Sequence, residues 1–532
     1  MSNKYKPTPL IKTFPIGRRV RSPYSDIVKI KTENNGLGIL KSFIIFGIIA
    51  LQAILFVFLQ LRFVLVFRWT LGISFLISLI TCIYVLSSKK NGHSKAVWII
   101  FLLIFFTFGY IFYLISDERI FFRRAGKRYK NIYKETDKYK EEIGAYSKNE
   151  FVNRDCQYLS KVGNFSAFSN STAKYFSSGA SFFDDLLERL EQAQEFIFME
   201  FFIVSDGVLF DRIFDVLKRK ADSGVQIRLI YDDMGCHKSF SQKCKLKLKK
   251  AGIQILAFNK LVPIFSIVLN YRDHRKMVVI DGKTAYSGGC NLADEYVNER
   301  RLHGYWKDAG IRIDGRATDG FTLMFLRQWE FLSKKQEDYS KYLKKADEIG
   351  DCGIIVPYAD GLDYPLPIGE NVYENMFASA TKKIYIMTPY FILEDTLTNL
   401  IINKARSGVD VRLVLPGVPD KRIVYAVTKN NAEKLLKYGV KLYYMNHTFV
   451  HSKLALTENA VIVGSINMDL RSFYQQFESA VYTNDEKPMS AVYFDFLESF
   501  QDSALIKEDS VKPKNVLTRA FLGLLRLFAP FM

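Results

Sequence analysis

Long apolar stretches near the start of the chain give way to shorter ones later. Residues 42–61, 69–86 and 96–115 carry no charged side chain, and each is about as long as the roughly 17–25 residues that cross a bilayer. They also lack the polar stripe of a helix at the surface of a soluble protein. The pattern predicts three membrane helices within residues 41–116.

Beyond residue 150 the apolar positions recur in short β-rich runs, such as "FIFME" at 196–200, separated by segments with helical periodicity. This alternation is typical of α/β domains with parallel strands. We therefore predict an α/β fold here, preceded by a basic tail over 1–40 and a basic linker over 117–150.

The α/β region repeats itself. "KADSGVQIRLI" at 220–230 matches "KARSGVDVRLV" at 404–414, and "AGIQILAFN" at 251–259 parallels "YGVKLYYMN" at 438–446. Each copy reads as strand, helix, glycine turn and strand, with the glycine suited to a helix C-cap. The repeat predicts two related halves, over 151–345 and 346–510.

Each half contains the same polar motif at the same place. The first is "HRKMVVIDGKTAYSGGCN" from His274 to Asn291, and the second is "HSKLALTENAVIVGSIN" from His451 to Asn467. One His-x-Lys pair alone would be read as a solvated strand end, since isolated motifs are weak. Two copies within a repeated unit favour a functional site.

The spacing of these motifs suits phosphodiester chemistry. Residues i and i+2 of a strand point to the same face, so His274 projects with Lys276, and His451 with Lys453. One imidazole can attack phosphorus and the other can protonate the leaving oxygen, while lysine and asparagine side chains stabilise negative charge. The arrangement calls for no divalent metal, and no acidic cluster in the sequence has the form of a metal site.

Composition narrows the choice of partner. The formal net charge is +19 over 532 residues, which favours an anionic partner such as nucleic acid or an anionic membrane. The apolar stretches favour membrane lipid and argue against nucleic acid. None of the six cysteines forms a C-x-x-C pair or has zinc spacing, so free thiols are expected.

At these residues the chain resembles the phospholipase D superfamily, whose mark is His-x-Lys-x-x-x-x-Asp occurring twice, and within it the bacterial cardiolipin synthases. The resemblance runs from the apolar stretches almost to the C-terminus. The stretches that carry it are "YRDHRKMVVIDG", "GGCNLADEY", "YWKDAGIRIDG", "TPYFI" and "GSINMDLRSF". It implies two pseudo-symmetric α/β sandwich halves that share one active-site cleft.

The resemblance also implies roles for individual residues. The two His/Lys pairs would be catalytic, with a phosphohistidine intermediate, and Asn291 and Asn467 would contact the phosphate. The acids that orient the imidazoles would be Asp308 and Glu478, because a fixed hydrogen bond from an acid sets the tautomer.

The second motif departs from the family pattern. The first ends in Asp281, whereas the second ends in Glu458 and has a turn one residue shorter. Both acids belong to the family's catalytic motif. Each stands five residues beyond its lysine, at the far end of the strand, so we interpret both mainly as turn and packing residues.

The resemblance implies cardiolipin synthesis, in which one phosphatidylglycerol donates its phosphatidyl group to another and glycerol leaves, without a cofactor. The alternatives are hydrolysis with water as acceptor, transfer to another alcohol, a non-catalytic lipid-binding membrane protein, and a nuclease. The residues leave the acceptor and the oligomeric state open.

The ends of the chain predict contact with the plasma membrane. Basic residues after the third apolar stretch favour a multi-pass protein with cytoplasmic catalytic halves. In the tail over 511–532, a helix would place Leu517, Phe521, Leu524 and Phe528 on one face, opposite Arg519 and Arg526. We predict that this tail lies on the membrane surface; the alternative is that it packs on the protein's own body.

Overall fold

The computed structural model describes residues 36–66, 71–88, 92–116, 118–140, 147–261, 270–350, 352–361, 364, 366–511 and 515–527. The predicted basic tail is therefore almost wholly outside the described residues, as is Phe528 at the other end. All six cysteines lie in the described ranges and are unpaired, as expected.

Five helices precede the α/β region. They are α1 (Gly36–Val66), α2 (Leu71–Leu86), α3 (Gly92–Ile104), α4 (Gly109–Ser116) and α5 (Glu118–Thr136). Much of the predicted basic linker is thus helical. It is also packed, because the Tyr129 ring in α5 stacks on Phe331 at a centroid distance of 3.8 Å.

The third predicted membrane segment differs from the expected single helix. The chain turns between α3 and α4, and a Cβ on Gly109 would lie 3.5 Å from the Leu102 Cα. Seven residues of continuous helix would separate these positions by about 10 Å. Residues 96–115 therefore form a helical hairpin.

The first two predicted segments fall largely within α1 and α2. Among the residues that the structure describes, no helix combines the length and the apolar character that crossing a membrane requires.

The first half follows a linking helix, α6 (Glu150–Gly163). Its strands are β1 (Ser171–Phe176), β2 (Phe196–Phe201), β3 (Gln226–Asp232), β4 (Gln254–Phe258), β5 (Arg272–Asp273), β6 (Lys276–Ile280), β7 (Thr284–Gly288), β8 (Tyr305–Lys307) and β9 (Gly310–Gly315). Its helices are α7 (Gly179–Glu191), α8 (Val208–Asp222), α9 (Asp233–Cys236), α10 (Gln242–Lys250) and α11 (Thr318–Ser333).

The second half repeats this order. Its strands are β10 (Ile355–Asp360), β11 (Lys383–Met387), β12 (Phe391–Ile392), β13 (Asp410–Pro416), β14 (Lys441–Met445), β15 (Thr448–Val450), β16 (Leu454–Thr457), β17 (Val461–Gly464), β18 (Met468–Asp469), β19 (Gln476–Thr483) and β20 (Ser503–Ile506). Its helices are α12 (Ile368–Ser379), α13 (Asp395–Arg406), α14 (Arg422–Glu433), α15 (Leu470–Gln475), α16 (Glu486–Gln501) and the C-terminal α17 (Val516–Leu527).

The two large sheets have matching strand orders. The first is β1-β9-β7-β6-β2-β3-β4, and the second is β10-β19-β17-β16-β11-β13-β14 with β20 added at its edge. Strand by strand, each position in one sheet has its counterpart in the other, so the predicted α/β duplication is confirmed at the level of topology.

A shared core holds the halves together. One buried apolar cluster joins Met277 and Ile311 of the first sheet to Ile355 and Val463 of the second. Helix α6, which the prediction assigned to the first half, packs on α12 of the second, and Tyr482 donates to its Asp155 carboxylate at 2.7 Å. Packing of this kind fixes the cleft between the halves.

The C-terminal helix α17 packs by one face on the second half. Its Leu522 is buried beside Val424 and Leu470. Arg526, which the prediction placed opposite the apolar face, donates to the Asp395 carboxylate at 2.7 Å. The predicted apolar face is turned outward, with Leu517 81% and Phe521 59% exposed.

Candidate active site

Both His-x-Lys pairs stand at the entrance of a central strand. His274 and Lys276 lead into β6, and His451 and Lys453 lead into β16. All four residues are at most 8% exposed. The strands that follow are wholly buried because their alternating faces both pack on apolar layers, and this holds the pairs at one end of each sheet.

Each imidazole is bound by an acid from the other half. His274 Nδ1 lies 2.9 Å and 3.0 Å from the two carboxylate oxygens of Glu478. His451 Nδ1 lies 2.7 Å from Asp308 Oδ2. The two acids predicted to orient imidazoles therefore lie next to them, and the partners are exchanged between the halves.

Two short parallel ladders across the interface set this exchange. β5 pairs with the start of β19, aligning Asp273 with Phe477, and β8 pairs with β15, aligning Lys307 with Val450. The next residue on each strand is the histidine on one side and the acid on the other. Backbone bonds continue the register, from His274 N to Phe477 O at 2.8 Å and from His451 N to Lys307 O at 2.7 Å.

The residues between each histidine and lysine point elsewhere, as strand alternation requires. Arg275 Nε donates to the Glu478 carbonyl at 3.3 Å, and its guanidinium lies 3.7 Å from Glu200. Ser452 Oγ donates to the Lys307 carbonyl at 3.4 Å. Arg275 thus connects the motif of the first half to the second half, and Ser452 connects the motif of the second half to the first.

The lysines lie close to the histidine backbone. Lys276 Nζ donates to the His274 carbonyl at 2.5 Å, and Lys453 Nζ bonds the His451 carbonyl in the same way. Burial lowers the pKa of Lys276 to about 7 and that of Lys453 to about 8, against the attraction of Glu478 and Asp308. A phosphodiester bound between the ammonium groups would favour their charged forms.

Burial and the neighbouring cations keep the imidazoles neutral at neutral pH. Burial lowers the pKa of His274 well below 6.5, and Lys276 and Lys453 act in the same direction. Burial and Lys453 lower the pKa of His451 to about 4 although Asp308 opposes them. When Nδ1–H is donated to the acid, Nε2 carries the lone pair, and the imidazole is a buried nucleophile or base. At His451, Lys453 Nζ also lies 2.8 Å from Nδ1.

The two predicted phosphate-contacting asparagines differ. Asn291 Oδ1 accepts from the Ile203 amide at 2.9 Å, and its Nδ2 donates to the Tyr296 hydroxyl at 2.5 Å. Asn467 is 5% exposed, and within the described part of the chain its Oδ1 has no hydrogen-bond partner. Asn291 is therefore held by the protein through both of its polar atoms, whereas the Asn467 oxygen has no such bond.

The motif acids lie at the far ends of the strands. Asp281 accepts from the backbone amides of residues 194–196, each at 2.8 Å. Glu458 accepts from the amides of Thr381, Lys382 and Lys383 and from the Thr381 hydroxyl. The Asp281 carboxylate thus fixes the loop before β2, and the Glu458 carboxylate fixes the loop before β11. Each acid stands five residues, or roughly 17 Å of extended chain, beyond the lysine of its own motif.

Aromatic rings line the cleft unequally. His274 lies beside Phe202, with the ring centroids 5.0 Å apart. His451 lies among Tyr296, Trp306 and Phe449, at 5.5, 5.4 and 5.8 Å. These rings exclude water from the imidazoles, which is one cause of the lowered pKa values.

One residue that the sequence did not lead us to assign, Ser465, supports Glu478. Ser465 Oγ donates to Glu478 Oε2. Burial raises the pKa of Glu478 well above 4.5, while Lys276 and the Ser465 hydroxyl favour its carboxylate form. Ser465 occupies the position in "GSIN" that Gly289 occupies in the first half. This difference between the repeats was the sequence signal that could have identified Ser465. At Gly289 a Cβ would lie 2.0 Å from Asp308 Oδ1.

Comparison with known families agrees with this site. A family model described as "Cardiolipin synthase, PLD-like domain" matches residues 186–303 and 373–500. The two matched segments each contain one His-x-Lys pair and correspond to the two halves.

Several curated proteins match over most of their length. An uncharacterized protein from Streptococcus mutans is 34% identical over 85% of this chain and 99% of its own. Cardiolipin synthase 2 from Bacillus cereus is 31% identical, covering 85% of this chain and 90% of that protein. Cardiolipin synthase 1 from Staphylococcus aureus is 29% identical, covering 88% and 98%.

Among solved structures, phosphatidylserine synthase from Haemophilus influenzae superposes with a TM-score of 0.54 at 15% sequence identity. The match covers 71% of this chain and 97% of that one. At this identity the likeness shows a shared fold.

Proposed function

Because this chain belongs to the cardiolipin synthase family of the phospholipase D type, we propose that it joins two phosphatidylglycerol molecules into cardiolipin and releases glycerol. The observation that carries the proposal is the pair of buried imidazoles, each held through Nδ1 by an acid of the other half. Two such groups in one cleft match a reaction that needs a nucleophile and an acid on opposite sides of phosphorus.

The first step forms a phosphohistidine. By analogy with the family, His274 Nε2 attacks the phosphorus of the donor lipid, and a P–N bond forms as the P–O bond to glycerol breaks. His451 gives its proton to the departing glycerol oxygen. This requires the imidazolium form of His451, which the bound phosphate anion favours by raising the pKa of the imidazole.

The second step transfers the phosphatidyl group. A glycerol hydroxyl of the second phosphatidylglycerol gives its proton to His451, its oxygen bonds to phosphorus, and the P–N bond to His274 breaks. The exchange conserves the number of phosphodiesters, so it needs no nucleotide or other cofactor. Lys276, Lys453 and the Asn467 amide stabilise the charge on the phosphoryl oxygens.

The surface of the N-terminal helices supports a membrane location. Large apolar side chains point outward from α1 and α2, among them Leu51 at 64%, Ile54 at 66% and Ile73 at 63% exposure. Exposed apolar surface of this extent marks contact with lipid or protein. We place these helices in the plasma membrane, with the catalytic halves on the cytoplasmic side and anionic lipid as the partner.

Product analysis tests this function. The purified full chain is given labelled phosphatidylglycerol, and we expect cardiolipin and glycerol in equal amounts. Phosphatidic acid as the main product would identify a hydrolase instead. An inactive protein that still binds phosphatidylglycerol vesicles would support a non-catalytic lipid-binding role.

A further inference from the structure

The two halves differ in the length of the segment that follows the asparagine of each motif. Asp308 stands 17 residues after Asn291, whereas Glu478 stands only 11 residues after Asn467. The shorter segment is folded into β18 and α15, and none of residues 468–477 is exposed. The first half therefore has six additional residues between two groups that border the cleft.

These additional residues belong to an exposed loop over residues 299–304, which we call the arginine loop. Every residue of the loop except His303 is exposed, including the adjacent Arg300 and Arg301. Burial raises the pKa of Glu295, and the positive charge of Arg300 opposes that rise. Within the described part of the chain, neither guanidinium has an ion pair or a hydrogen bond, so both can bind an anion.

The base of the arginine loop is fixed beside His451. Asn298 Oδ1 accepts from the Trp306 amide at 2.7 Å, and Asn298 Nδ2 donates to the Trp306 carbonyl at 3.0 Å. These two bonds close the loop. The ring of Trp306, after the loop, lies 5.4 Å from the His451 ring, and that of Tyr296, before the loop, lies 5.5 Å from it. The loop therefore begins and ends at the His451 side of the cleft.

The acceptor lipid reaches the phosphorus from this same side. In the proposed second step, its hydroxyl gives a proton to His451 and attacks opposite the P–N bond to His274. The acceptor's own phosphate lies three carbons beyond that hydroxyl, outside the His/Lys cluster that the donor phosphate occupies. Two phosphate anions repel each other, so the second one needs a cation of its own. The arginine loop supplies two cations at the side where the acceptor enters.

We propose that Arg300 and Arg301 bind the phosphate of the acceptor phospholipid. The inference rests on the proposed function and specifies its acceptor site. A guanidinium suits this phosphate because it can donate two parallel hydrogen bonds to phosphate oxygens. The neighbouring Leu302 is 46% exposed, which adds an apolar group that a phospholipid can cover. Binding at this loop favours anionic lipid over water or a neutral alcohol as the acceptor.

The test separates transfer to an anionic acceptor from transfer to a neutral one. The full chain is given phosphatidylglycerol in neutral detergent micelles, and cardiolipin formation is compared with exchange of labelled glycerol into phosphatidylglycerol. For the double variant Arg300→Gln/Arg301→Gln we expect cardiolipin formation to fall by about tenfold or more and glycerol exchange by less than about threefold. Equal losses in both reactions would overturn the proposal.

The double variant Lys249→Gln/Lys250→Gln is the matched control. These two exposed lysines lie at the end of α10, before β4 begins. The parallel strands β2, β3 and β4 start at this edge of the sheet, and His274 lies at the opposite edge. The control should leave the ratio of cardiolipin formation to glycerol exchange unchanged, and a fall like that of the arginine variant would overturn the proposal. Because all four side chains are exposed, thermal unfolding of both double variants should match wild type.

Anionic vesicles distinguish the acceptor phosphate from the phosphates of the membrane surface. If the arginine loop binds the acceptor, cardiolipin formation should fall relative to glycerol exchange on phosphatidylglycerol vesicles as well as in micelles. If the loop only holds the protein on the membrane, the arginine variant should lose both reactions together on vesicles and keep both in micelles. That second result would overturn the proposal.

Failure of the underlying function gives a different result. A wild-type enzyme that exchanges glycerol but forms no cardiolipin would refute the proposed function itself. A wild-type enzyme that forms cardiolipin, with a ratio that does not change in the arginine variant, would refute the role of the arginine loop alone.

Discussion

The two halves of the cleft keep their reacting groups alike and vary the groups that support them. Each half supplies a histidine, a lysine and an acid that binds the histidine of the other half. Around these, Gly289 of the first half is replaced by Ser465, and the well-bonded Asn291 by Asn467, whose amide oxygen has no partner within the described residues. The difference shows which positions the chemistry fixes and which it leaves to local packing.

Under the proposed mechanism, the exchange of acids predicts that neither half acts alone. His274 without the second half would lack Glu478, and His451 without the first would lack Asp308. The ladders that align them pair strands of only two and three residues, so they depend on the shared core for their stability. Catalysis is therefore a property of the interface.

The largest effects should follow loss of either imidazole. We expect His274→Ala and His451→Ala each to lower kcat by at least about 10⁴-fold, since each removes a group that forms or breaks bonds. Thermal unfolding of both variants should stay close to that of wild type. Acid-labile phosphate trapped on His451 rather than His274 after a denaturing quench at alkaline pH would reverse their assignment.

The exchanged acids should come next. Asp308→Asn and Glu478→Gln should each lower kcat by roughly 10²- to 10⁴-fold, because an amide no longer fixes the tautomer of the imidazole. NMR of labelled histidine sharpens the comparison. The Glu478→Gln change should shift the resonances of His274 and leave those of His451 nearly unchanged, and the opposite pattern would contradict the exchange.

The pH dependence should distinguish the two lysines. Lys276, with a pKa of about 7, loses its charge before Lys453, with a pKa of about 8. Since the ammonium form is the one that stabilises the phosphoryl oxygens, kcat/KM should fall as pH rises above about 7. Arginine stays charged, so Lys276→Arg should move the onset towards pH 8 whereas Lys453→Arg should not. A common onset in both variants would contradict this order.

The motif acids should affect stability more than turnover. Asp281 is 7% exposed with three charge-assisted amide bonds, and Asp281→Asn should lower the free energy of unfolding by about 2–3 kcal/mol. Glu458 is partly exposed, so Glu458→Gln should cost about 1 kcal/mol. Neither should change kcat more than about twofold, whereas Lys453→Met should lower it strongly. Equal kcat losses in Glu458→Gln and Lys453→Met at normal stability would give the acid a chemical role.

Much of the fold was predictable because the sequence repeats. The duplicated strands and motifs indicated two α/β halves, and strand alternation placed each histidine beside its lysine. The order of the strands could not be read in this way, since pairing between distant strands such as β9 and β7 leaves no local pattern. The hairpin between α3 and α4 was missed because residues 96–115 are uniformly apolar and contain no strong turn signal.

The site was predictable as a set of residues but not as a set of contacts. Asp308 and Glu478 were named from their resemblance to family positions, yet which histidine each binds depends on ladders between the halves. Ser465 was not assigned as a partner of Glu478, because its hydroxyl meets that acid only when β17 and β19 pair in the second sheet. In both cases the missing information is tertiary.

The C-terminal helix is a further difference between the halves, since α17 packs on the second half through Leu522. Replacing an exposed side chain of α17 should have the smallest effect on stability. Phe521 is 59% exposed, so Phe521→Asp should leave stability unchanged. If the outward face lies on lipid, activity on phosphatidylglycerol vesicles should fall by about threefold to tenfold, while activity on a short-chain soluble substrate stays the same.

Leu522→Ala is the matched control, because it removes a buried side chain and should cost about 2–3 kcal/mol of stability. That variant should impair both activities together, because Leu522 packs beside Leu470 of the second half. Parallel loss of both activities in Phe521→Asp would show that α17 acts only as part of the protein's own body.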